Sequence, residues 1–493
     1  MSEFARIFVG FLFVLCLSFS VSAATFTVNS TADSGLGSLR QAVLDANAAA
    51  GDDVIEFSSL FNTSQTITLT GGEIVVAANG SLTINGPGAD KLTISGNNQS
   101  RILSSGANVV VNINNLRFTA GNGVGAVNSG RGGAIYNVGG TMVITNSIIT
   151  GNSAGNGGAL NNAASASPSV PANLTIINCS ITGNSSTSSG SAMQNFSTST
   201  LHLRNTTVSG NTTTATGIAG AFQANGTVTI TNSTFSGNTA PAGTGGGVYY
   251  NGSSMIMTNT TIVNNSSGIG GGGLHRTGTN PTLIMRNTIV AGNNGAAASP
   301  DALGLVSSQG NNIIGNNAGS TGWIGSDFQN VNPMLGGLAA NGGLGNTHLP
   351  SAGSPALDAG QSCVVDLTCA VSNPPVAVTT DQRGIARPQN AIVDIGAVEV
   401  AVAANATISG QVLSPNLTPV RNAYVTISNM SGAYDSVRTN NLGNFTFKDI
   451  PVGQYTLDVI AKQYGFTPQN INVSGDITGV TITATSGNII DSK

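Results

Sequence analysis

Apolar and polar residues alternate in short runs that recur along the chain. The phrase "TNSIITGN" at 145–152 returns as "INCSITGN", "RNTTVSGN", "TNSTFSGN", "TNTTIVNN" and "RNTIVAGN". The copies align on Asn146, Asn178, Asn205, Asn232, Asn259 and Asn287, spaced by 32, 27, 27, 27 and 28 residues. Two residues before each Asn stand Ile144, Ile176, Leu203, Ile230, Met257 and Met285, and four before stand Met142, Leu174, Leu201, Val228, Met255 and Leu283. The positions between are mostly polar, such as His202, Arg204 and Thr229, with Val143, Ile177, Ile256 and Ile284 as exceptions. Alternation of period two predicts a strand with one buried face. After each Asn come a small residue and, at the third position, an apolar one (Ile149, Ile181, Val208, Phe235, Ile262, Val290). A second Asn closes each phrase: Asn152, Asn184, Asn211, Asn238, Asn265 and Asn293. Upstream lies a small-residue element ending in Ile135, Leu160, Met193, Phe222, Val248 or Leu274.

A unit this short, with three strands and no helix, has no way to bury its own apolar face and must stack on its copies. One unit per turn of a parallel β-helix puts equivalent side chains in rows about 4.8 Å apart. Apolar rows then form the core, and both Asn rows are expected to bond amide to amide between turns. Cys179 falls in the Ser/Thr row and reads as a small packed thiol. Weaker copies, "LTINGPG", "LTISGNN" and "INNLRFTAGN" before and "NNIIGNN" after, extend the stack. Open ends need covers. "SLRQAVLDANAAA" predicts a capping helix, with Ser38 and Gln41 as a capping box and Leu39, Val43 and Ala46 on one face.

Composition narrows the class. Charged residues are only 7% of the chain and glycine is 66 of 493, whereas hydrophobics at 40% are too many for disorder. A net charge of -4 offers no basic face for nucleic acid or anionic lipid. Residues 1–24 read as a secretory leader cut after Ala23 or Ala24, with no membrane span expected in the mature chain. Export permits a disulfide, and Cys363 and Cys369 in "CVVDLTC" are the candidates. No metal or cofactor is expected.

The GGAI and FSGN phrases resemble repeats of chlamydial polymorphic outer-membrane proteins and other right-handed β-helix (pectin-lyase-like) surface proteins. "NPMLGGLAANGGLGNTHLPSAGSPALDAG" with "TTDQRGIARPQNAIVDIGAVEV" resembles the choice-of-anchor Q domain over about 330–400, which implies an exported protein. Residues 406–484, with turn signals at Asn416, Gly432, Gly443 and Gly453, read as a small β-sandwich and resemble a carboxypeptidase regulatory-like domain, a carbohydrate-binding-like fold. Phe445 and Tyr455 are expected in its core, and no peptidase zinc ligands are present. The expected order is thus all-β: leader 1–24, strand and capping helix 25–64, β-helix 65–330, terminal turns 331–400, linker 401–405, sandwich 406–484 and tail 485–493.

Pectate-lyase relatives raise the question of catalysis. From Lys91 to Pro300 there is no Asp or Glu, which removes a two-carboxylate hydrolase and a calcium-dependent lyase from the stack. The residues following the apolar ends, Tyr136, Asn161, Gln194, Gln223, Tyr249 and His275, form an expected outward row. Three readings of it stand: a solvated polar row, a surface along an extended polysaccharide, or a metal-free uronate lyase using Tyr249, His275 and Arg276. The carboxylates Asp358, Asp381, Asp394 and Glu399, with Arg383 and Arg387, are expected to pair structurally. The expectation is an exported, monomeric, non-enzymatic adhesion or matrix protein whose partners are extracellular polysaccharide or other surface proteins.

Overall fold

A computed structural model describes residues 23–487 except 215, 219, 279–281, 297–299, 372–373, 401–405, 430–431, 451–452 and 474–475. The leader up to residue 22, the linker 401–405 and the tail from 488 on therefore lie outside the described residues. The chain divides into two compact units, Met1–Val400 and Ala401–Lys493.

The first unit is a parallel β-solenoid whose three long sheets hold eleven, ten and eleven strands. Each coil contributes one strand to each sheet. In sheet 1, Met142, Leu174, Leu201, Val228, Met255 and Leu283 stack in register. Sheet 2 stacks Ile135, Leu160, Met193, Phe222, Val248 and Leu274. Sheet 3 stacks Ile149, Ile181, Val208, Phe235, Ile262 and Val290. All three rows are buried, and they form one continuous core because each coil covers the apolar edge of the last.

The repeated phrase has a conformational cause. Asn146, Asn178, Asn205, Asn232, Asn259 and Asn287 all sit at the corner between sheets 1 and 3 with φ between 47° and 54°. This left-handed region strains most L-residues, and Asn tolerates it best after Gly. The second corner, just before the closing Asn, is Gly151, Gly183, Gly210, Gly237 and Gly292, with Asn264 replacing Gly in one coil at φ 59°. At the entry to sheet 2 the requirement is steric as well: a Cβ on Gly157 would lie 2.2 Å from Leu160 O.

The closing row forms a buried amide ladder. Nδ2 of Asn152, Asn184, Asn211, Asn238 and Asn265 donates to Oδ1 of the next Asn at 3.0, 3.0, 2.9, 2.8 and 2.9 Å. The same oxygens also accept the backbone N–H of the preceding Asn, as Asn211 Oδ1 does from Asn184 N at 2.9 Å. Asn293 ends the series on Asp301, whose Oδ1 accepts from both its N and its Nδ2 at 2.7 and 2.9 Å.

The corner row departs from expectation. Only Asn178 to Asn146 (2.6 Å) and Asn287 to Asn259 (3.3 Å) bond amide to amide. Left-handed backbone turns these side chains away from the core, and from Asn232 onward they meet other partners: Asn232 Nδ2 donates to Thr380 O and Asn259 Nδ2 to Asp394 O. A shorter inner ladder was not legible in the repeat, Asn137 to Asn162 to Asn195, at 2.8 and 2.7 Å.

Two boundaries also shift. The solenoid begins at Thr25–Val28, which pairs in parallel with Asp53–Phe57, so the capping helix is an insertion between the first two strands of sheet 1. That helix runs Leu39–Ala48 with Leu39, Val43 and Ala46 buried; Ser38 Oγ accepts Gln41 N at 3.1 Å, but the Gln41 side chain donates to Asp45, so the box is half made. Residues 331–400 are not terminal turns. They run back as a lateral strap: Gln382 Nε2 donates to Thr207 Oγ1, Thr234 Oγ1 donates to Gln382 Oε1, and Ala397 N donates to Thr261 Oγ1. The strap has few strand residues to continue the coil but many polar groups to match the outward hydroxyls of sheet 3.

The second unit is a sandwich of a three-stranded and a four-stranded sheet. Phe445, Phe447, Val425 and Leu457 fill its core, and Tyr455 is buried with them, as expected.

Breaking the ladder at Asn211→Ala strands the amide and N–H of Asn184 and removes three Nδ2 bonds, at an expected cost of about 2–4 kcal/mol. Asn146→Ala at the exposed corner should cost about 1 kcal/mol, from the left-handed strain and the loss of a solvent-exposed acceptor for Asn178. Denaturant midpoints of the two variants test the ranking, and equal midpoints would refute a dominant ladder.

Candidate functional site

The expected row exists in register: Tyr136, Asn161, Gln194, Gln223, Tyr249 and His275 are consecutive partners in sheet 2. Its environment differs from expectation. Tyr136, Asn161, Gln194, Gln223 and Tyr249 are buried, at 0, 1, 5, 7 and 4% exposure, and His275 is half-buried. The tight glycine bends bring the neighbouring edge of each coil against the row; Gly245 and Gly271 approach closely enough that a Cβ would meet Tyr249 Cβ at 3.1 Å and His275 Cβ at 3.0 Å.

Within the row the polar groups serve one another. Asn161 Nδ2 donates to Gln194 Oε1 at 2.9 Å, and Gln194 Nε2 donates to Gln223 Oε1 at 2.5 Å. Tyr136 accepts from Asn128 Nδ2 and lies under the Arg101 guanidinium, 4.9 Å from its ring centroid. Arg101 is itself buried and ion-paired to Glu73 at 2.7 Å, so this end is an architectural knot.

Tyr249 and His275 do meet, edge to face, with centroids 5.4 Å apart. Burial lowers the His275 pKa, which favours the neutral imidazole. Arg276 does not join them. Strand alternation places it opposite Tyr250 in the next row, and its Nη1 donates to Leu305 O at 2.5 Å. The Arg276 Nη1 is thus engaged by a backbone carbonyl on the face of the strand away from His275.

The downstream charges pair within the strap. Arg387 is bound to Glu399 at 2.6 Å and Arg383 to Asp381 at 2.8 Å. Asp394 accepts backbone N–H groups from Asp358 and Val400, both at 2.7 Å, while burial pushes its carboxyl up to about 6. Asp358 accepts from Asn390 Nδ2 at 3.1 Å. Cys363 and Cys369 form a disulfide.

Asp301 lies outside the repeated phrases and is the first carboxylate after the acid-free stretch. With Asn293, Asn316, Asn330 and Asn332 it lines an open cavity of about 530 Å³. Its Oδ2 accepts Asn316 N at 2.8 Å, and burial raises its pKa against these hydrogen bonds. Asp301 and Asn293 are buried and bonded to each other, so the groups the cavity offers are the exposed amides of Asn316, Asn330 and Asn332, suited to hydroxyl-bearing molecules. Among the described residues no group of three or more His, Cys, Asp or Glu is placed to hold a metal ion, and no helix is long and apolar enough to cross a membrane.

Comparison with known families agrees with this geometry. Residues 169–332 match the right handed beta helix region and residues 407–486 the carboxypeptidase regulatory-like domain. The chain joins a right-handed β-helix to a carboxypeptidase regulatory-like domain. No curated protein matches this β-helix chain in sequence. Among solved structures, the Bacillus anthracis TIE protein is similar at 17% identity over 16% of this chain and 16% of its own, with a TM-score of 0.14, a likeness too partial to carry an argument.

Cys179 tests the packing of this β-helix. It is fully buried, with Sγ 3.2 Å from Ile177 O, and burial pushes its thiol up to about 12. Thiol reagents at neutral pH should leave it unmodified in the folded protein and label it fully after denaturation. Rapid labelling of the native chain, read by intact mass, would show that the coil opens here.

Proposed function

We propose that this chain is an exported bacterial β-helix, extracellular or held at the cell surface, that acts by non-covalent contact with polysaccharide or other surface proteins. The observation that carries the reading is the use of its polar groups. Amides that would serve a substrate in a catalytic β-helix here bond from coil to coil, and Arg276, next to His275 in sequence, donates its Nη1 to Leu305 O. The Cys363–Cys369 disulfide suits an oxidising compartment, and the resemblance of 330–400 to choice-of-anchor Q supports surface association. The cavity beside Asp301 is better placed for contact than the buried sheet 2 row, because it is open and lined by amides.

A glycan array run beside an assay for unsaturated uronate on a panel of polyanionic polysaccharides tests the reading. Retention of a glycan without product is expected, and Tyr249→Phe and His275→Ala should leave retention unchanged. Product that disappears in those two variants would replace this reading with a metal-free lyase.

A further inference from the structure

Asp53 opens the second strand of sheet 1, and its side chain is buried at 1% exposure. A buried carboxylate needs donors on both oxygens. Oδ1 accepts the Ala24 N–H at 3.0 Å. Oδ2 is closed off from solvent and has no hydrogen-bond partner, the one carboxylate oxygen in that state among the described residues. Ala24 is clamped from its other side too, since Val54 N donates to Ala24 O at 2.8 Å. The first strand, Thr25–Val28, follows at once.

An uncut chain supplies a single hydrogen from the Ala24 amide. A free α-amine at the same nitrogen supplies three and carries a positive charge at neutral pH. We propose that the leader is removed between Ala23 and Ala24, and that the new α-ammonium of Ala24 forms a buried ion pair with Asp53 that locks the first strand onto the stack. The reaction is hydrolysis by a signal-peptidase-type endopeptidase. Water's hydroxyl goes to the Ala23 carbonyl carbon, the C–N bond breaks, and the Ala24 nitrogen takes the proton and then a second from solvent. A cut after Ala24 gives the opposite result: it removes the donor to Asp53 Oδ1 and the acceptor for Val54 N. The solenoid thus distinguishes the two sites that the leader's small residues leave open.

This inference rests on the export reading, and the two fail differently. Intact-mass analysis of the protein from the producing cell should find Ala24 as the first residue. Retention of residues 1–23 in a cell-associated chain would count against export, whereas an exported chain that starts at any other residue overturns the proposed site. The ion pair has its own test, on chains that begin at Ala24 with either a free or an acetylated amine. Hydrogen exchange of the Val54 amide should be about tenfold slower with the free amine. The difference should vanish in Asp53→Asn. Equal exchange in the two parent chains, or a difference that survives Asp53→Asn, overturns the pair.

Discussion

Each of the six repeated coils closes on a side-chain amide buried between its neighbours. The Asn211 carboxamide shows the pattern: its oxygen takes an N–H and an amide hydrogen from the coil before, and its nitrogen donates to Asn238, Ile181 O and Ser209 O. Because every member is both donor and acceptor, the ladder tolerates no slip in register. This is why the interval between successive coils is so regular. The one longer interval, 32 residues from Asn152 to Asn184, places its extra length between Leu160–Ala163 and Asn173–Ile177, away from the ladder. Asp301 ends the series with an acceptor that has nothing to donate, a chemical stop for a row of amides.

A solenoid with so little charge exposes many hydroxyls and leaves corner amides unpaired. The strap resolves part of this. It lays backbone carbonyls and the Gln382 amide along Thr207, Asn232, Thr234 and Asn259, and its own charges are gathered into the Arg387–Glu399 and Arg383–Asp381 pairs. His348 belongs to the same contact: one ring nitrogen meets Ser236 Oγ at 2.9 Å and the other Gly336 O at 2.7 Å. The later coils are therefore covered on sheet 3, while Asn146 at the earlier coils stays exposed.

Function follows from where polarity is left over. The sheet 2 row looked like a ligand surface because polar residues followed apolar ones, but Asn161, Gln194 and Gln223 are buried and donate from each amide to the next along the stack. What remains available lies at the end of the ladder, around Asp301, and on surfaces the strap does not reach. The ladder beneath these surfaces fixes the register of the coils that carry them.

The coil length, three strands per coil, apolar rows, buried thiol and capping helix were all legible in the chain, because each depends on local spacing: period two within strands and a fixed interval between copies. The sandwich was legible for the same reason. The fates of the two Asn rows were not, since both carry the same residue at the same interval and only the left-handed φ at Asn146 and its equivalents turns that row outward. Nor did spacing show that the strap folds back or that glycine bends bury Tyr249. Those outcomes depend on contacts between residues far apart in sequence, where backbone direction at a few corners decides which side chains meet. Local pattern determined the coil; tertiary packing decided which of its polar groups were left to act.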